Sequence, residues 1–198
     1  MSETLARDEE LVAFIRQAKD RQEILDCLYR YARGVDRRDR ALVLSAYHAD
    51  AVDQHGIVEL GAEAFSDWVV SDSRGHQIKY QHHIVNHTVE LDGATAHAET
   101  YYIYWGEHRE GPPPLCFGRY IDRFEKRDGR WAIAHRVCLV EMIGQFAKAD
   151  VPAEFARLAF STGPSTSNKS DLSYVRPLLT SSSGATTSSS TPSLVAAR

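Results

Sequence analysis

The 198-residue chain has no run of the roughly 18 to 20 apolar residues that a membrane-spanning helix requires, so no membrane association is expected. It has no excess of basic charge: the formal net charge is -4, which leaves no electrostatic case for a nucleic-acid partner. Its first ten residues are polar and include acids, which predicts no secretory signal. It has only three cysteines, Cys27, Cys116 and Cys138, and no CxxC pair. That pattern predicts reduced, mostly buried thiols and a cytoplasmic location. It also lacks a glycine-rich phosphate loop, a serine nucleophile elbow and a dinucleotide fingerprint, so no nucleotide cofactor is expected. Histidine is plentiful, with nine copies, yet the spacings do not build a metal site. His83 and His87 are four apart, a helix spacing; on a strand that separation is about 13 Å. His82 and His83 point to opposite faces of such a strand. His48, Asp50, Asp53 and His55 straddle a helix end and a strand. Neither cofactor nor metal is predicted.

Hydrophobic residues make up 43% of the chain, enough for a core, and the length suits one domain with appendages. The expected division is a domain over residues 1–160, a docking extension over 161–179 and a disordered Ser/Thr-rich tail over 180–198. Within the tail, residues 180–193 are all Ser, Thr, Gly, Ala or Pro, too little apolar surface to offset the entropy of ordering. In the extension, Leu172, Tyr174, Val175 and Leu178 are expected to dock on the domain or on a neighbouring subunit.

Inside the domain the hydrophobic period changes from helical to strand-like. Ile24, Leu28, Tyr31 and Val35 recur at four, three and four, one face of an amphipathic helix over residues 20–35, with Gly34 expected to weaken its last turn. Short helices are predicted near 41–47 and 61–70, flanking a strand within 51–60. After Gln77 the pattern becomes that of long strands over 80–91, 94–105, 115–124 and 131–143. Asp92-Gly93 and Asp128-Gly129 mark hairpin turns, and Pro112-Pro113-Pro114 marks a loop. Helices first and a strongly curved sheet afterwards is an α+β layout.

Two polar groups sit in apolar settings. Asp36 ends the helical pattern, and His82 opens a strand-like run. A carboxylate facing an imidazole moves a proton at neutral pH: the carboxylate fixes the tautomer and the imidazole takes the proton. Taken singly, Asp36 reads equally as an ion-pair partner of Arg37 or Arg38, and His82 as a satisfied core histidine. Arg136 alternates with Ala132, Ala134, Cys138 and Val140, so it points into something enclosed, either a site or a buried ion pair with Glu99 or Asp122.

Several stretches carry a more specific signal. They are residues 31–39 (YARGVDRRD), 47–52 (YHADAV), 82–86 (HHIVN) running on to 89–93 (VELDG), and 120–131 (YIDRFEKRDGRW). Over residues 15–145 this order resembles the SnoaL-like family of the nuclear transport factor two superfamily. That family includes scytalone dehydratase, hexachlorocyclohexane dehydrochlorinase, bile-acid dehydratase and lyases of lignin-derived diarylpropanes. The resemblance implies a cone-like curved antiparallel or mixed sheet packed against three N-terminal helices. It implies that Asp36 and His82 form the family's acid–base dyad and that Arg136 matches an arginine that holds the leaving group. Tyr31 stands where the dehydrochlorinase has lysine, which implies a hydroxyl or aromatic contact instead. The implied function is a cofactor-independent lyase acting on a hydrophobic aromatic or polycyclic alcohol. Its reaction would be dehydration, another elimination or formaldehyde-releasing cleavage of a diaryl diol. Alternatives are a steroid or polyketide isomerase or cyclase, and a non-catalytic module like a dioxygenase small subunit. The implied partners are a small hydrophobic substrate and copies of the same chain, as a trimer or a dimer.

Overall fold

A computed structural model of the protein describes residues 2–71, 77–163 and 165–178. The expected disordered tail lies outside the described residues. Helix α1 (Ser2–Asp36) leads through α2 (Arg40–Leu44) to strand β1 (Tyr47–His55), β2 (Val58–Gly61) and α3 (Ala62–Val70). Four long strands follow: β3 (Gln77–Asp92), β4 (Thr95–His108), β5 (Pro114–Arg127) and β6 (Arg130–Gln145), with a short α4 (Ala153–Ala159) beyond them. Among the described residues, no helix is long and apolar enough to cross a membrane.

The six strands form one sheet in the order β2-β1-β6-β5-β4-β3. From β3 to β6 it is an antiparallel meander, and β1 joins β6 in parallel, pairing Asp53 with Arg136 and His55 with Cys138. Both predicted turns are present. Asp128 and Gly129 each take a positive φ, the conformation that matches a two-residue turn to the twist of its strands. The region read as a single strand within 51–60 is instead the hairpin β1–β2, which reverses at Gly56. The sheet is curved and unclosed, and the three N-terminal helices cover its concave face.

Ile24, Leu28, Tyr31 and Val35 are fully buried, so the predicted stripe of α1 is the face that meets the sheet. Phe65 and Val69 of α3 join them, with Tyr120, Phe124, Trp131 and Ile133 from β5 and β6. Asp20 fastens the helix to the far end of the sheet by accepting from Lys126 Nζ (2.6 Å) and Trp131 Nε1 (2.9 Å). Helix α1 starts well before residue 20. Its first half contains good helix formers and no breaker, yet Leu11, Phe14 and Ile15 are exposed.

Residues 165–178 run back over the corner between α1 and α2. Arg33 donates to the Ser173 carbonyl (3.1 Å) and lies over the Tyr174 ring; the Tyr174 hydroxyl donates to Asp39 (2.9 Å), and Arg37 faces Asp171 (3.3 Å). The attachment is polar. Leu172, Val175 and Leu178, expected to supply apolar docking, remain exposed in the single chain.

Candidate active site

Asp36 owes its position to the way α1 ends. Arg38 adopts φ 48°, and the amides of Arg38 and Asp39 return to the carbonyls of Val35 (3.0 Å) and Gly34 (2.8 Å). This is the paired terminal hydrogen bonding that stops a helix at a left-handed residue, here an arginine where glycine is usual. Asp39 then caps α2 by accepting from the Leu42 amide (3.3 Å). Gly34 does not loosen the last turn, as its sequence position suggested. A Cβ there would lie 2.7 Å from the Val43 backbone nitrogen, so the glycine lets α2 close onto α1. Asp36 is thereby fixed in the last turn, where the negative end of the helix dipole repels a carboxylate. Its compensation comes from the sheet.

That compensation is His82. Strand β3 is an edge strand, and edge N–H groups lack a ladder partner on the outer side. The His82 amide donates to both Asp36 oxygens at 3.1 Å, and the His82 ring brings Nδ1 within 2.7 Å of Oδ1. With a carboxylate as its partner, Nδ1 carries the proton of the neutral ring, which leaves Nε2 as the basic atom. Arg38 braces the same edge by donating to the Gln77 carbonyl (3.0 Å). The side chains of His82 and Asp36 keep 10% and 13% of their surface exposed, so the pair is sheltered but not sealed.

His82 opens onto a cavity of ≈ 280 Å³ in the concave face of the sheet. Its wall is mostly aromatic and aliphatic. Tyr104 lies 5.0 Å from the His82 ring, held by Gln77 Nε2 donating to its hydroxyl (2.7 Å). Tyr102 stacks on Tyr120 at 4.5 Å and shares its hydroxyl with the Cys138 thiol at 3.4 Å. Gly118 makes this possible: a Cβ at that position would fall 2.5 Å from the Tyr102 hydroxyl. Pro114, Val140 and Ile143 complete the mouth. A larger groove of ≈ 530 Å³ lies between α1, α2 and the β5–β6 turn, bordered by Asp26, Arg30 and Arg130, but neither Asp36 nor any histidine lines it.

Two of the four expected site residues lie elsewhere. Arg136 is fully buried and clasps Asp122 with two hydrogen bonds of 2.7 Å, which resolves the sequence alternatives in favour of the ion pair with Asp122; Glu99 faces Arg119 instead. The guanidinium lies between the rings of Tyr31 (4.3 Å) and Tyr120 (4.1 Å). Burial pushes the Asp122 carboxyl up while Arg136 draws it back. Tyr31 is likewise fully buried, and burial raises its hydroxyl far above the usual phenol range. Neither Tyr31 nor Arg136 lines the cavity. The alternation of β6 was read correctly as pointing inward, but inward here means the layer beneath the cavity floor.

The sequence reading weighed Asp53 and His55 as part of a metal cluster; the structure makes them a second polar pair, with His55 on the cavity wall. His55 Nδ1 meets Asp53 Oδ1 at 3.1 Å, and the Tyr47 hydroxyl donates to Asp53 Oδ2 at 2.6 Å. Burial opposes protonation of His55, but the hydrogen bonds to Asp53 and Cys138 outweigh it and raise the ring to about 9. The available signal was Asp-x-His on a strand, the spacing that puts both side chains on one face. Two of the other histidines weighed for metal binding are otherwise engaged: His48 meets the Glu125 carbonyl (2.8 Å) and His87 the Thr100 hydroxyl (2.8 Å). Among the described residues, no group of three or more His, Cys, Asp or Glu is placed to hold a metal ion.

Comparison with known proteins agrees with this architecture. No curated protein matches the sequence. Among solved structures, a hexachlorocyclohexane dehydrochlorinase, LinA-type3 from Novosphingobium barchaimii, superposes with a TM-score of 0.63 at 22% identity, covering 70% of this chain and 98% of its own. A candidate scytalone dehydratase from Novosphingobium aromaticivorans gives 0.59 at 16% identity, covering 67% and 91%. A candidate aromatic ring hydroxylase from the same species gives 0.59 at 23% identity, covering 65% and 94%. At such identities the likeness establishes a shared fold. The sequence itself matches the SnoaL-like domain over residues 16–137, the span that runs from the middle of α1 through the core of β6, and the chain belongs to that family of the nuclear transport factor two superfamily.

Proposed function

We propose that the protein is a cofactor-independent lyase that uses Asp36 and His82 as its acid–base dyad on a hydrophobic aromatic or polycyclic alcohol. The observation that carries the reading is the 2.7 Å contact between His82 Nδ1 and Asp36, made at the wall of a largely apolar, aromatic-lined cavity. His82 Nε2 removes a proton from carbon or from a hydroxyl. Asp36 holds the ring in the productive tautomer and balances the imidazolium that forms. The flanking tyrosines exclude water, which strengthens each charge interaction at the reacting atoms. Dehydration, other β-eliminations and the formaldehyde-releasing cleavage of a diaryl diol share this first step. A cavity of ≈ 280 Å³ suits a one- or two-ring substrate better than a large polycycle.

The test is a panel of aromatic diols, steroids and halogenated compounds assayed without added cofactor. His82→Ala and Asp36→Asn should each lower any turnover found by at least about a hundredfold, the scale of losing a general base, with circular dichroism unchanged. Near-full activity in both variants would sink the dyad. Dialysis against a chelator should leave the rate unaltered; a loss restored by zinc or iron would redirect attention to metal chemistry.

A further inference from the structure

The cavity has a second histidine, and its placement differs from that of His82 in an informative way. Strands β3 and β1, which carry His82 and His55, are four strand-steps apart in the sheet. At about 4.8 Å per step the path along the sheet is about 19 Å. Because the sheet curls, the two rings border one cavity from opposite walls. His82 hangs on a partly exposed carboxylate at an edge. His55 hangs on Asp53, which is fully buried and braced by Tyr47.

Among the described residues, three strands and one helix border His55. Its own strand supplies Asp53 and Tyr47; β6 supplies the Cys138 thiol and, deeper, Arg136; β5 supplies Tyr120 at 6.3 Å and, deeper, Asp122; α3 supplies only the uncharged rings of Phe65 (5.5 Å) and Trp68 (6.1 Å). Burial keeps Tyr47 and Tyr120 neutral by raising both hydroxyls. Asp122, Arg136 and Asp53 are all fully buried; Arg136 is engaged by Asp122 through two hydrogen bonds, which leaves His55 as the basic side chain in contact with Asp53. An isolated buried charge is costly unless paired. A protonated His55 would be the partner that Asp53 meets at 3.1 Å.

We propose that His55, gripped by Asp53, is a second proton-handling group of this cavity: an imidazolium that delivers its proton to the departing oxygen from the wall opposite His82. The proposal rests on the lyase reading above. In a dehydration, His82 Nε2 takes the proton from carbon and the C–H electron pair becomes the new C=C bond. The C–O bond breaks with its pair on oxygen, and the proton of His55 Nε2 completes the leaving water. His82 ends protonated and His55 neutral, and exchange with solvent at the open mouth restores both. The ligand class follows. It is a compact aromatic molecule with an acidic C–H on one side and, on the other, an oxygen that gains negative charge, such as a hydroxyl or a phenolate.

Two measurements on the full chain test this without a known substrate. In ¹⁵N-histidine spectra, the signal absent from His55→Gln should show a doubly protonated ring in the wild-type protein at pH 8. A neutral ring there would overturn the proposal. Separately, 4-nitrophenolate, followed by its visible absorbance, should bind the wild-type cavity and bind His55→Gln at least about tenfold more weakly, a difference of about 1.4 kcal/mol. His82→Gln should bind it with less than half of that loss in free energy. Equal losses in the two variants, or unchanged binding by His55→Gln, would overturn the proposal. If His55→Gln fails to fold, His55→Asn serves for both assignments. Where an active substrate is found, His55→Gln should abolish the fall in rate as pH rises through about 9, which a purely structural role would not do. The two readings fail separately. Turnover that survives His82→Ala removes the dyad and leaves the His55 spectrum as it was; a neutral His55 beside an inactive His82→Ala removes only the second acid.

Discussion

Arg136–Asp122 and His82–Asp36 each join a carboxyl group to a nitrogen donor at 2.7 Å, and they differ in what surrounds them. The first is sealed between two tyrosine rings with no exposed surface. The second has one partner on a helix end, the other on a sheet edge, and a cavity in front. A sealed pair can only hold the fold together, because nothing reaches it. An accessible pair gives up some of that stabilising role and gains the ability to exchange a proton. Residue type alone does not separate the two; access does.

The sharpest way to break the comparison is to halve the sealed pair. Asp122→Asn leaves a buried guanidinium without its counter-charge and should cost about 3–5 kcal/mol by denaturant unfolding. Replacing both partners with aliphatic residues should recover much of that loss. A cost below about 1 kcal/mol would make the pair no more structural than one on the surface.

Asp36→Asn should show the opposite balance, with turnover falling at least about a hundredfold while stability moves by about 1 kcal/mol. A large stability loss would mean that the dyad is chiefly a clamp between α1 and β3.

Between these extremes lies Gly118→Ala. The added methyl meets the Leu139 carbonyl oxygen and the Tyr102 ring, so overpacking should cost about 1–3 kcal/mol and shift Tyr102 into the cavity. Melting temperature and 4-nitrophenolate binding should fall together. A lower melting temperature with intact binding would show that Tyr102 is not part of the wall that ligands feel.

The smallest effect is expected at the C-terminal segment. Tyr174→Phe removes the hydrogen bond to Asp39 and should cost about 1 kcal/mol or less at neutral pH. The pH dependence has a definite sign. Hydrogen bonds from Ser173 and the Thr166 amide hold the Asp171 carboxyl below its usual range. For Asp39, burial pushes up, but the bonds from Tyr174 and the Leu42 amide and the nearby Lys169 win and hold it low. A depressed folded-state value stabilises the folded form above the unfolded carboxylate value, about 3.9, and that contribution disappears as pH falls below it. The wild-type advantage over Tyr174→Phe should therefore shrink between about pH 5 and 3. An advantage unchanged across that range would show that the Asp39 contact does not anchor the segment.

What was legible in the sequence follows physical reach. The α1 stripe, the two Asp-Gly turns and the long strands express local periodicities, and each appears where read. The first half of α1 was missed because it has helix propensity but no buried face, and amphipathicity was the signal used. The parallel β1–β6 pairing was invisible because register between distant strands leaves no local mark. Asp36 and His82, 46 residues apart, were brought together only by resemblance to a family. Arg136 and Tyr31 were placed on inward faces correctly, but an inward face of this fold has two depths, cavity and core, and alternation does not distinguish them. His55 was weighed as a metal ligand because a short spacing of His and Asp invites that reading; its actual partner lies two residues back on the same face of the strand.

The double grip of Asp36 on residue 82 has a consequence for observation. Its carboxylate holds the His82 backbone amide as well as the ring, so the amide is shielded only while the helix end is seated against the sheet edge. Hydrogen–deuterium exchange at this single amide therefore clocks the opening of the Asp36–His82 contact. Its protection factor is the ratio of assembled to disassembled sites, readable residue by residue in a protein whose substrate need not be known.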